Sequence, residues 1–137
     1  MSREIIAILR GVTPTEAVEV AFTLLDEGID RIEVPLNSPE PFQSIEKMID
    51  AVGDRAKIGA GTVLDVPSVE KLADLQAHMV VSPDTNASVI VATKQLNMLS
   101  YPGVMTPSEC FAALHAGADG LKLFPAMLLG VKGFKAI

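Results

Sequence analysis

Residues 120–126 read GLKLFPA, and they set one lysine inside an apolar run of β-strand character. Alternation along a strand sends Leu121 and Leu123 to one face and Gly120, Lys122 and Phe124 to the other. Pro125 ends the strand, because it has no N–H to give to a ladder. On this stretch alone two readings of Lys122 stay open. It lies on a solvated sheet edge, or it is desolvated, where a lysine's pKa falls from about 10.4 towards neutrality and the free amine becomes a nucleophile for carbonyls.

The stretches before it follow a regular alternation. Glu4 to Arg10 reads as a strand, and Thr13 to Leu25 as an amphipathic helix ending at Gly28. A strand over Asp30 to Leu36 follows, then a helix opened by Ser38 and Pro39 and running to about Val52. Lys57 to Gly61 and Met79 to Ser82 read as strands, with a helix over Asp65 to Ala77 between them. Asn86 to Gln95 reads as a helix, Asn97 to Tyr101 as a strand, Thr106 to Ala116 as a helix, and Gly120 to Phe124 as the last strand. About six strand-helix units result, in one domain spanning 1–137, with no linker or low-complexity break.

Such alternation means parallel strands, in an open doubly wound sheet or in a barrel. No GxGxxG follows the first strand, whereas Arg10, Glu33, Thr62, Ser82 and Lys122 all fall at the C-terminal ends of strands. Those ends converge on one mouth only in a barrel, so the expected fold is α/β, a (β/α)8 TIM barrel with about six of its eight units present.

Composition narrows the function. A net charge of −6 leaves no basic stripe for nucleic acid or an anionic membrane, and no run reaches membrane-span length. One cysteine, Cys110, excludes an intrachain disulfide framework, and the reading is a soluble protein of the reducing cytoplasm. Neither His78 nor His115 has metal-ligand spacing, so no metal is expected.

Glu33 lies in RIEVPL with Ile32, Val34 and Leu36 on the opposite face, which points its carboxylate into the lumen with Lys122. It is a structural ion-pair partner or a working acid/base, and opposite charges in one lumen should find each other. Arg10 is a surface arginine or a bidentate clamp for carboxylate or phosphate. GAGTV, residues 59–63, sets small residues and the Thr62 hydroxyl where backbone approaches a ligand or a helix closely. Pro102-Gly103 reads as a tight turn, and Thr106 with Glu109 as a capping box. Cys110, beside Phe111 and Leu114 at helical spacing, reads as packing.

Together IAILRG, IEVPLNSP, GAGTVL, VSPDTN, YPGVMTPSE and LKLFPA, in this order over the whole chain, resemble the 2-keto-3-deoxy-6-phosphogluconate and 2-keto-3-deoxy-6-phosphogalactonate aldolases, class I lyases on a (β/α) barrel. The resemblance implies a Schiff base on Lys122, with Glu33 as general acid/base and Arg10 as an anion contact. It implies a pyruvate pocket shaped by Thr62, Pro102 and Gly103. The pairing of ILRGVTP with EVPLNSP resembles the galactonate-type members more closely, and Asn37, standing where many gluconate-type members carry an arginine, implies a rearranged carboxylate contact that leaves the epimer less fixed than the reaction. The expected substrate is a 2-keto-3-deoxy-6-phospho sugar acid, cleaved to pyruvate and glyceraldehyde 3-phosphate without a cofactor, by a homo-oligomer that the resemblance makes a trimer.

Because eight units close a barrel, the chain is expected to be an incomplete version of a longer polypeptide. It would lack the glycine-rich turns that hold phosphate in the family, and Ile5, Ile6, Ile8, Leu121 and Leu123 would lie on unpaired edges. The competing expectation is a non-catalytic, oligomerising or ligand-binding barrel fragment. A relative of thiamine-phosphate synthase would need a phosphate loop and metal-binding carboxylates that the sequence does not offer.

Overall fold

A computed structural model describes residues 2–137. In chain order the elements are β1 (Ile6–Ile8), α1 (Ala17–Asp26), β2 (Arg31–Pro35), α2 (Pro41–Val52), β3 (Lys57–Gly61), α3 (Val66–Asp74), β4 (Met79–Val81), α4 (Ala87–Gln95), β5 (Leu99–Tyr101), β6 (Gly103–Val104), α5 (Pro107–His115), β7 (Lys122–Leu123) and α6 (Gly130–Ala136). Strands β1 to β5 form a parallel sheet in sequence order, and β6 pairs in parallel with β7.

The two sheets are one. The Gly120, Lys122 and Phe124 amides donate to the carbonyls of Ser100, Pro102 and Val104, so residues 120–124 run beside 99–104 as a single sixth strand. Pro102 divides the fifth strand because its missing N–H breaks the ladder there, while its carbonyl still serves Lys122. The expected tight turn at Pro102-Gly103 is therefore an in-line strand, buried at both residues.

The face assignments follow the period of two. Ile32, Val34, Ile58, Ala60 and Val80 turn outward onto Ala17, Ala21, Ile45, Met48, Val69, Leu72 and Val89 of the helices, all at or near zero exposure. Each such Val, Leu, Ile or Met side chain contributes about 1.5–3 kcal/mol by leaving water. Inward-facing Ile6, Ile8, Glu33, Val81, Tyr101 and Lys122, with Leu121, line one cavity of about 220 Å³. In a flat six-stranded sheet spaced at about 4.8 Å the outer strands would stand roughly 24 Å apart. Sharing a small cavity requires that the sheet curl, which makes it the arc of a (β/α) barrel.

Several element starts differ from expectation for local reasons. Helix α2 begins at Pro41, not at Ser38 or Pro39, because the buried Ser38 hydroxyl is engaged by the Gly11 amide at 3.0 Å instead of capping its own helix. Strand β1 stops at Ile8, which puts Arg10 in the turn beyond it. The capping box of α5 is formed by Thr106 and Glu109, and Asp65 and Asn86 cap α3 and α4. Cys110 is buried among Ile90, Val104 and Ala113.

Candidate active site

Glu33 is held on β2 between Ile32 and Val34, whose burial against the helices leaves its side chain nowhere to go but the lumen. It is 1% exposed, and its Oε2 is buried without a hydrogen-bond partner. Burial pushes the carboxyl up to about 7, against the pull of the Lys122 ammonium and the Arg10 guanidinium, which favour the ionised form. At neutral pH the acid and its conjugate base are then similarly populated, which suits a group that must both give and take protons.

Lys122 enters from the far flank. Its strand is registered by the Pro102 carbonyl and by the pairing of Gly103 with Lys122. The entry to that strand is anchored by Asp119, whose Oδ2 accepts from Lys94 Nζ at 2.6 Å and from the Ser100 amide at 2.8 Å. Lys94 and Asp119 were not singled out in the sequence; their signal was only a lone acid before an apolar strand, common on any surface. The Lys122 side chain is half-buried, with Nζ 4.9 Å from the centre of the Phe124 ring.

Glu33 and Lys122 line the same cavity, yet they form no ion pair within 4 Å; among the described residues Lys94 and Asp119 do. The expected direct pairing is corrected by where each group rests. Glu33 lies against Gly61, and Lys122 lies over Phe124. Tyr101 also lines this cavity and was missed, because an aromatic residue closing a short strand reads as ordinary β-propensity.

Arg10 is exposed, with Nη1 donating to Asn37 Oδ1 at 2.7 Å. The β1 and β2 loops are thus tied together twice, by this bond and by Gly11 to Ser38, and the guanidinium keeps its remaining donors free for an anion. Thr62 is half-buried just after β3, with φ of 55°, a left-handed conformation that is costly for a β-branched residue.

Gly103 is packed closely against the loop after β4. A Cβ there would meet the Pro83 carbonyl oxygen at 2.2 Å, and its own carbonyl accepts from Thr85 Oγ1 at 2.6 Å. Pro102 and Gly103 therefore set the position of Lys122 and of the loop after β4. In GAGTV the close approaches are to other partners than those expected: Gly59 admits Met79 of β4, and Gly61 admits the Glu33 side chain. Among the described residues no group of three or more His, Cys, Asp or Glu side chains is placed to hold a metal ion, and no helix is long and apolar enough to cross a membrane.

The family model for KDPG and KHG aldolases matches residues 1–137. A protein of Rhizobium meliloti (strain 1021) named probable 2-dehydro-3-deoxy-6-phosphogalactonate aldolase is 48% identical over 137 residues, which are 100% of this chain and 65% of that relative. A solved structure described as native KDPGal superposes with a TM-score of 0.94 at 43% identity, over 99% of this chain and 68% of the other. The KDPG aldolase of Legionella pneumophila, solved with pyruvate captured as a covalent carbinolamine, matches at a TM-score of 0.87 and 28% identity, over 96% of this chain and 64% of its own. This chain thus spans less than two thirds of the length of the Rhizobium relative. With its entire length matched by the family model, and the lysine and glutamate of its motifs facing one cavity, the chain belongs to the KDPG and KHG aldolase family.

Proposed function

We propose that this chain carries the Schiff-base chemistry of a class I aldolase, acting on a 2-keto-3-deoxy-6-phospho sugar acid of galactonate type and releasing pyruvate and glyceraldehyde 3-phosphate. The observation that carries the reading is that Lys122 and Glu33, whose carboxyl is raised to about 7, line one small cavity. The neutral amine of Lys122 attacks the keto carbon, and Glu33 supplies and removes protons as carbinolamine loses water. The resulting iminium is the electron sink for carbon-carbon cleavage, in which Glu33 accepts the proton of the substrate hydroxyl. The cavity that the two groups line is then where the keto acid sits. Asn37 steadies Arg10 for the anionic end of the substrate, and the naming of the Rhizobium relative supports the galactonate epimer. Assembly as a homo-oligomer, a trimer by the family resemblance, and a cytoplasmic location belong to the same proposal.

Incubation with pyruvate and borohydride is expected to add a stable mass to Lys122, read by peptide mapping. A folded sample with no adduct would overturn the aldolase reading and leave a non-catalytic barrel. Arg10→Ala is expected to raise KM for the phosphorylated substrate roughly ten- to hundred-fold, the worth of one charge-assisted contact, while kcat changes much less. A loss confined to kcat would remove Arg10 from the role of clamp.

A further inference from the structure

The carboxylate of Glu33 is 1% exposed, and nothing polar holds its Oε2. Its position is fixed by shape. A Cβ built on Gly61 would lie 1.9 Å from Oε2 and 2.4 Å from both Cδ and Oε1 of Glu33, well inside any real contact. These atoms are the far end of a flexible side chain, so the carboxylate itself is the group that would give way.

Gly61 is not required by its own backbone. The residue that adopts a left-handed conformation in this turn is its neighbour Thr62, at φ of 55°, while Gly61 is not among the glycines of positive φ. A glycine inside a strand costs stability relative to alanine and packs nothing of its own. Position 61 thus carries a local cost for which the surrounding chain gives one reason, the Glu33 carboxylate that fills the space.

We propose that Gly61 is a positioning residue for Glu33: the absent side chain is the socket that keeps the carboxylate buried and aimed into the cavity facing Lys122. The groups that face Glu33 are Lys122 from β7 and Arg10 beyond β1, with Tyr101 of β5 on the same cavity; β3 offers glycines and β4 Val81. Filling the socket drives the carboxylate out of it towards the open side of the cavity and water. The catalytic use of this placement rests on the aldolase reading; the placement itself does not.

The test is a carboxyl-carbon NMR titration of Glu33 in Gly61→Ala, in parallel with borohydride trapping of pyruvate. In the unaltered protein the titration midpoint is expected near 7, and in Gly61→Ala it is expected to fall towards the ordinary 4.5 as the carboxylate meets solvent. Trapping in Gly61→Ala should slow at least ten-fold, and Gly61→Ala combined with Glu33→Asp, whose shorter arm clears the new methyl, should recover a raised midpoint. An unchanged midpoint in Gly61→Ala overturns the proposal, as does failure of the aspartate to restore it. Should Gly61→Ala not fold, Gly61→Ala with Glu33→Ala removes the colliding group and is expected to fold; collapse of that double variant would show that the methyl strikes something else, and would also overturn it. If the unaltered protein traps no pyruvate, the aldolase reading falls while the titration still decides the role of Gly61.

Discussion

Lys122→Ala abolishes the borohydride-stable pyruvate adduct and reduces aldol cleavage to background, with the fold retained. The side chain is half-buried and has no ion-pair partner within 4 Å, so its loss strands no salt bridge, and the strand beneath it is registered by backbone bonds to Ser100, Pro102 and Val104. What the variant loses is the amine. One electrostatic side effect is expected: without the ammonium, Glu33 loses the larger of its two cationic neighbours and its carboxyl should titrate above about 7. Lys132 and Lys135 lie exposed on α6, away from this cavity, and an adduct persisting on either would show that the reactive amine is not Lys122. Peptide mapping of trapped variant and parent side by side makes the comparison.

Glu33→Gln is expected to cut kcat by roughly 10²–10⁴-fold, the usual worth of a positioned proton-transfer group, while the imine still forms, more slowly. The same substitution should stabilise the fold at alkaline pH. In the unfolded chain the carboxyl ionises around its ordinary 4.5, and in the folded chain around 7, so between these values the unfolded state binds fewer protons. Parent stability therefore falls as pH rises through that window and levels off above it, the buried charge costing on the order of 3 kcal/mol. The glutamine variant does not ionise and escapes this loss. Urea-denaturation midpoints measured from pH 4.5 to 8.5 should diverge across the window; curves that stay parallel would show that Glu33 is not desolvated as described.

Much of this site was legible because strand parity is a strict rule. IEVPL sets Glu33 and GLKLFPA sets Lys122 between apolar neighbours, and the lumen side of both followed once the helices were placed outside. Where sequence reasoning failed, a residue had more than one local option. Ser38 could cap its helix or bind Gly11, and the 3.0 Å bond across 27 residues decided it. Pro102-Gly103 carries the composition of a turn, yet tertiary pairing with residues 120–124 holds it extended. Opposite charges in one lumen suggested a contact pair, but Phe124 and Gly61 give each a resting place of its own. The shape of a socket cannot be read from a glycine, since the atom it lacks leaves no trace in composition.

Among the described residues no backbone hydrogen bond joins β1 to β7, so the two flanks of the cavity communicate only the long way round, through five successive ladders. The distance between Glu33 and Lys122 is in effect the chord of an arc, and errors along the arc accumulate. Four of those ladders lie between Glu33 on β2 and Lys122, and a displacement of about 0.25 Å in the same sense at each sums to about 1 Å across the gap, a misplacement that can cost roughly 100-fold in rate. Conservative changes at Met48, Val69 or Leu72, which tilt one strand against the next, should therefore register in turnover before they register in melting temperature. Tolerance to mutation in this protein is set by the sum of small angles around a curve, and whatever clasps the two free edges governs how much of that sum the reacting groups feel.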